Sequence, residues 1–176
     1  GLSRKIAASR SIEEAAACRG TLIETVRGYL GAGARARTLG RIFASSSDLL
    51  VAKLVQLAER DLGRPPSDFA FVALGSEGRG EQTPGSDQDN AIVFDVPTGG
   101  QLEEVRKYFL SLGERVCRWL DAMGVRFCAG GIMAKTPSWC ASFGEWTGYF
   151  SRWINEPEPD QILDFNIFFD LRCVAG

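Results

Sequence analysis

Apolar residues recur at steps near 3.6 through the first third of the chain: Ile6, Ile12, Ala15, Ala16, Leu22, Ile23, Val26 and Leu30. That spacing predicts a helix with one buried face, interrupted at Gly31-Ala32-Gly33. A second helical run carries Ile42, Phe43, Leu50, Leu54, Val55, Leu57, Ala58 and Leu62. Asp61-Leu62-Gly63 and then Pro65-Pro66 end it, because proline cannot continue a helix and turns its neighbour away from one. From Phe69 the pattern changes. Phe69 to Leu74 is a nearly unbroken apolar run, as in a buried strand, and Ala91 to Val96 is a second. Between them, Gly75 to Asp89 is rich in Gly, Ser, Thr, Pro and Asp and reads as loop. Leu102, Val105, Phe109, Leu112, Val116, Trp119, Leu120 and Met123 outline an amphipathic helix.

Phe127 to Ala134 reads as a third strand, kinked at Gly130-Gly131. Thr136-Pro137 then reads as a helix start, with Trp139, Phe143, Trp146, Phe150 and Trp153 as its stripe. The tryptophans are read as core rather than as a base-stacking platform. Leu163, Phe165, Ile167, Phe169 and Leu171 alternate with mostly polar neighbours, which predicts a two-faced strand. The gap between Leu74 and Ala91 leaves little room for a crossover helix, so those two strands are expected to be antiparallel. The expected fold is α/β (α+β): a small mixed, largely antiparallel sheet with helices on one face. Residues 1–64 form a helical N-terminal region and residues 65–176 the core domain.

Composition narrows the chemistry. The chain has 176 residues, is 45% hydrophobic and carries a net charge of −2. It is long enough to bury a core without a disulfide or metal staple, and no global basic field draws it to nucleic acid or an anionic membrane. No apolar run approaches the length of a membrane span. There is no histidine, which removes His-based triads and zinc sites built on His. The five cysteines show no C-x-x-C spacing and are odd in number, so a reducing cytoplasm is expected. Carboxylates, backbone amides, arginines and a borrowed metal are left to do any chemistry.

One stretch assembles them: Leu74-Gly75-Ser76-Glu77-Gly78-Arg79-Gly80-Glu81, then Ser86-Asp87-Gln88-Asp89-Asn90-Ala91-Ile92. A buried strand ends in Gly-Ser, where glycine allows close backbone approach to a ligand. Two aspartates then enter the next strand two residues apart, which puts Asp87 and Asp89 on one face and Gln88 and Asn90 on the other. Adjacent carboxylates repel unless a cation is shared between them, and Mg²⁺ takes one or two carboxylates plus phosphate oxygens. A P-loop fails here because no Gly-Lys-Ser/Thr follows, and the glycines read G-x-x-G-x-G rather than G-x-G-x-x-G. Asp95 shares the aspartate face but lies about 20 Å further along the strand. The competing account is a polar turn at Pro84-Gly85-Ser86-Asp87 with solvated carboxylates.

Gly-Ser, a loop, then Asp-x-Asp entering a strand resembles the DNA polymerase beta-like nucleotidyltransferase superfamily. The longer string, from Gly75 through Ala91, resembles one branch of it, the nucleotidyltransferase domain found beside CBS and cyclic-nucleotide-binding domains in bacterial signalling proteins. That branch is similar to the catalytic domains of protein-PII uridylyltransferase and glutamine-synthetase adenylyltransferase. The ending Phe168-Phe169-Asp170-Leu171-Arg172 also resembles it, and the likeness runs from about Leu49 to Gly176. The chain begins without methionine and is expected to be a piece of a longer protein.

The resemblance implies that Gly75 and Ser76 hold the triphosphate and that Asp87 and Asp89 hold two Mg²⁺ or Mn²⁺ ions. It implies that Asp170 completes the metal site and accepts the acceptor's proton. Asp170 is preferred to Asp164, which stands about 20 Å away along an extended strand. Arg79 either pairs with phosphate, for which its fork is suited, or is a solvated loop arginine. Lys135 is read as a surface lysine rather than a phosphate contact. The implied activity is transfer of a nucleoside monophosphate from an NTP to a hydroxyl on a regulatory protein, with no nucleic-acid or membrane partner. A non-catalytic nucleotide-sensing or protein-docking module is the alternative.

Overall fold

The computed structural model describes residues 1–155 and 169–176. Its helices are α1 (Leu2–Ala8), α2 (Ile12–Gly31), α3 (Ala36–Leu62), the single turn α4 (Gly75–Gly78), α5 (Leu102–Ala122) and α6 (Phe143–Asn155). Its strands are β1 (Phe69–Ala73), β2 (Asn90–Phe94), β3 (Cys140–Ser142) and β4 (Arg172–Ala175). The sheet order is β3-β2-β1-β4. β1 pairs antiparallel with both β2 and β4, and β2 pairs parallel with β3. The mixed, largely antiparallel sheet behind a helical N-terminal region is the expected architecture.

The sheet's two faces follow residue parity. Phe71, Ile92, Phe94 and Cys140 face a large core shared with α1, α2, α3 and α5. Phe94 and Phe109 stack there with ring centroids 4.9 Å apart. Val72, Leu74, Ala91 and Ala141 face a smaller cluster with Trp139 and Trp146. The second face is therefore partly covered by α6, whose Trp146 indole donates to the Ile92 carbonyl at 3.3 Å. Trp139 and Trp146 are core residues, as expected.

Three local expectations are corrected. The first helical run is two helices, because Ser11 caps α2: its hydroxyl accepts from the Glu14 amide, and the Glu14 carboxylate accepts from the Arg10 amide. This Ser-x-x-Glu capping box is a sequence signal that the apolar periodicity masked. Phe127 to Ala134 is not a strand. Its contacts with the chain entering β2 run from the Gln88 amide to the Arg126 carbonyl and from the Asn90 amide to the Ile132 carbonyl. Two residues on one side oppose six on the other, so the intervening residues turn at Cys128–Gly131 and no ladder forms. The helix expected from Pro137 is instead a short 3₁₀ turn at Pro137–Trp139, then β3, then α6. The small buried residues Cys140-Ala141-Ser142 fit beside β2. A second capping box, Ser142 with Glu145, opens α6. Phe143 consequently lies outside the stripe and is exposed.

The final strand is also shifted. Positions 163–168, with Asp164, lie outside the described residues. Of the remainder, Asp170 is in a turn, and the strand begins only at Arg172. The Asp170 backbone lies against Gly78, and the chain turns there before joining β1.

Candidate active site

β1 delivers the Gly-Ser turn. Leu74 is buried and its amide donates to the Asp89 carbonyl at 2.9 Å, which ties the end of β1 to the entry of β2. Gly75 then takes φ +51°, a backbone conformation that side chains disfavour. A Cβ at Gly75 would stand 3.0 Å from Asp89 Oδ2. Glycine thus lets the turn approach the aspartate, and the amides of Gly75 and Ser76 open α4 without intrahelical acceptors.

Asp87 and Asp89 take the face that the alternation predicted. Gln88 points the other way and is fully buried; its amide donates to the Cys117 and Val125 carbonyls at 3.0 and 2.7 Å. Asn90 is buried beside it, and its Oδ1 accepts from the Ala134 amide at 2.8 Å. These anchors fix the strand's rotation, leaving both aspartates partly accessible on the opposite side. Burial raises the Asp89 pKa, a hydrogen bond with Cys128 lowers it, and the charge of Asp87 raises it. Two carboxylates that feel each other in a half-buried site suit a shared divalent cation.

Asp170 has a different partner. Arg79 Nη1 donates to Asp170 Oδ2, and Arg79 Nε donates to Glu81 at 2.9 Å. Among the described residues no three Asp, Glu, Cys or His side chains gather as a metal site. The structure sets the Gly75 backbone beside Asp89, which feels the charge of Asp87, and pairs Arg79 with Asp170, whose backbone packs against Gly78 of the same turn. Lys135 is half-buried, with its Nζ 3.8 Å from the centre of the Phe127 ring.

Two important residues escaped the sequence reading. Arg172, from β4, donates to the Glu77 and Gly78 carbonyls at 2.8 and 3.1 Å and holds Asp48 of α3 through two bonds of 2.6 and 2.9 Å. It clamps the free end of α4 to the scaffold. Glu77 is buried below that turn; desolvation and the nearby charges of Asp48 and Asp89 push its pKa up to about 7 against the opposing pull of Arg172. The only sequence signal for either was membership of the quoted motifs.

A mixed sheet with a Gly-Ser turn against a strand-entering aspartate pair defines a nucleotidyltransferase-like α/β domain. Residues 20–160 match the family described as "Putative nucleotidyltransferase DUF294", and the chain belongs to that family. No curated protein matches the chain. Among the described residues no helix is long and apolar enough to cross a membrane.

Proposed function

We propose that the chain catalyses metal-dependent transfer of a nucleoside monophosphate from an NTP to a hydroxyl on a regulatory protein, in the manner of protein-PII uridylyltransferase. The observation that carries this reading is the close approach of the Gly75 backbone to the Asp89 carboxylate, where a Cβ would stand 3.0 Å from Oδ2. Asp87 and Asp89 would hold Mg²⁺ or Mn²⁺. Such ions, when bound, neutralise phosphate charge and lower the pKa of an attacking hydroxyl. Gly75 and Ser76 orient the phosphates. The acceptor oxygen bonds to the α-phosphorus, the bond from that phosphorus to pyrophosphate breaks, and the hydroxyl proton leaves to a carboxylate. Arg79 engages Asp170 through Oδ2, and a triphosphate would compete for that guanidinium. Residence in a bacterial cytoplasmic signalling protein, beside CBS or cyclic-nucleotide-binding domains, belongs to the same proposal.

The Arg79–Asp170 pair also favours a second reading, a nucleotide-sensing module without catalysis. One experiment separates them. The full-length protein is incubated with each α-labelled NTP, Mg²⁺ and cell lysate, beside the Asp87→Asn/Asp89→Asn variant. Metal-dependent label on protein, abolished in the variant, is the expected outcome. Metal-dependent NTP binding without transfer identifies the sensor, and label passing to RNA or DNA overturns the protein acceptor.

A further inference from the structure

A cavity of about 660 Å³ opens between the first turns of α3 and the segment that follows α4. Arg37, Arg41, Arg79 and Arg172 line it together with Asp48 and Glu81; Asp87 and Asp89 do not. Its charges are not balanced. Asp48 neutralises Arg172, and Arg79 faces two carboxylates, Glu81 and Asp170, so the four arginines exceed the three carboxylates by one charge. Arg37 and Arg41 are exposed, and among the described residues neither has a carboxylate partner.

The local sequence works against helix stability at this place. Arg37 and Arg41 stand four apart on α3, where like charges repel. Arg37 lies in the first turn, the helix's positive end and the wrong end for a cation. The N-cap is Arg35, no side chain caps the helix, and its first turn contains no acid. Each of these costs is relieved by a bound anion.

We propose that this cavity is a binding site for a small phosphorylated ligand, separate from the aspartate pair. Guanidinium forks pair bidentately with phosphate, and the volume is in the range of small-molecule sites, about 300–1,000 Å³. Arg37 and Arg41 supply the uncompensated charge. Arg79, shared between the cavity and the turn after α4, is the link through which the ligand would reach the Gly-Ser turn.

The test is titration calorimetry of the whole chain with sodium pyrophosphate at fixed ionic strength in EDTA, which disables a metal-dependent site. Wild type binds, and Arg37→Gln/Arg41→Gln binds about tenfold or more weakly, the loss of at least one charge-assisted hydrogen bond. Both arginines are exposed, so this variant retains its circular dichroism spectrum. Asp87→Asn/Asp89→Asn keeps wild-type affinity for pyrophosphate, whatever it does to nucleotidyl transfer. Absence of binding, equal binding by the arginine variant, or equal competition by sulfate (a non-specific counter-ion effect) each overturns the proposal.

Discussion

Gly78 has no room for a side chain. A Cβ there would overlap the Asp170 carbonyl oxygen and stand 3.1 Å from the Ala73 carbonyl oxygen. Both obstacles are backbone, so neither can swing aside. Gly78→Ala should therefore push the Asp170 turn away from α4 and cost about 1–3 kcal/mol, read by urea denaturation; wild-type stability would mean that the two segments are not held together. Glu77, one residue earlier, makes a pH-dependent contribution. In the unfolded chain it titrates near 4.5, and in the fold near 7. Between those values the unfolded state loses its proton first. The stability contributed by the neutral carboxyl is therefore complete below pH 4.5 and lost as pH rises through about 7. Glu77→Gln keeps the neutral shape and should remove a decline of roughly 3 kcal/mol across that window. Parallel stability–pH curves for the two proteins would refute the assignment.

At the scale of elements, the Gly-Ser turn depends on a residue from the far end of the chain. Arg172 joins β4, α4 and α3 through four hydrogen bonds to Asp48, Glu77 and Gly78. A lysine retains the charge but cannot reproduce the fork. Arg172→Lys should destabilise the protein by about 1–3 kcal/mol, since Asp48 and two carbonyls lose their donors. If the turn binds phosphates, the same variant should also weaken NTP affinity under conditions where it remains folded. Lost stability with unchanged NTP affinity would make Arg172 a purely structural residue. Unchanged stability would contradict the clamp itself.

Across the whole molecule, helices and sheet share one core. Ile6 of α1, Leu54 and Val55 of α3, Phe71 of β1 and Phe109 of α5 belong to the same buried cluster. The helical region thus covers the sheet face that β1 and β2 present to it. Removing residues 1–64 would expose that face. The fragment 65–176 is expected to show no cooperative thermal transition, whereas the full chain unfolds in one step. A sharp transition in the fragment's calorimetric scan would show that the sheet domain folds without its helices.

Side-chain period alone determined much of this protein. It identified β1, β2 and α5, and it put Asp87 and Asp89 on the face opposite Gln88 and Asn90. Those features are legible because alternation and helical repeat are set by backbone geometry over a few residues. The 127–146 segment was misread because small buried residues suit a strand as well as a helix, and the pairing of β3 with β2 decided between them. Asp170 illustrates the same limit at longer range. Its partner, Arg79, is 91 residues away in the chain, and no local pattern specifies a contact between such distant groups. Only the packing of β4 against β1, with the chain turning over Gly78, decided that this carboxylate would meet an arginine.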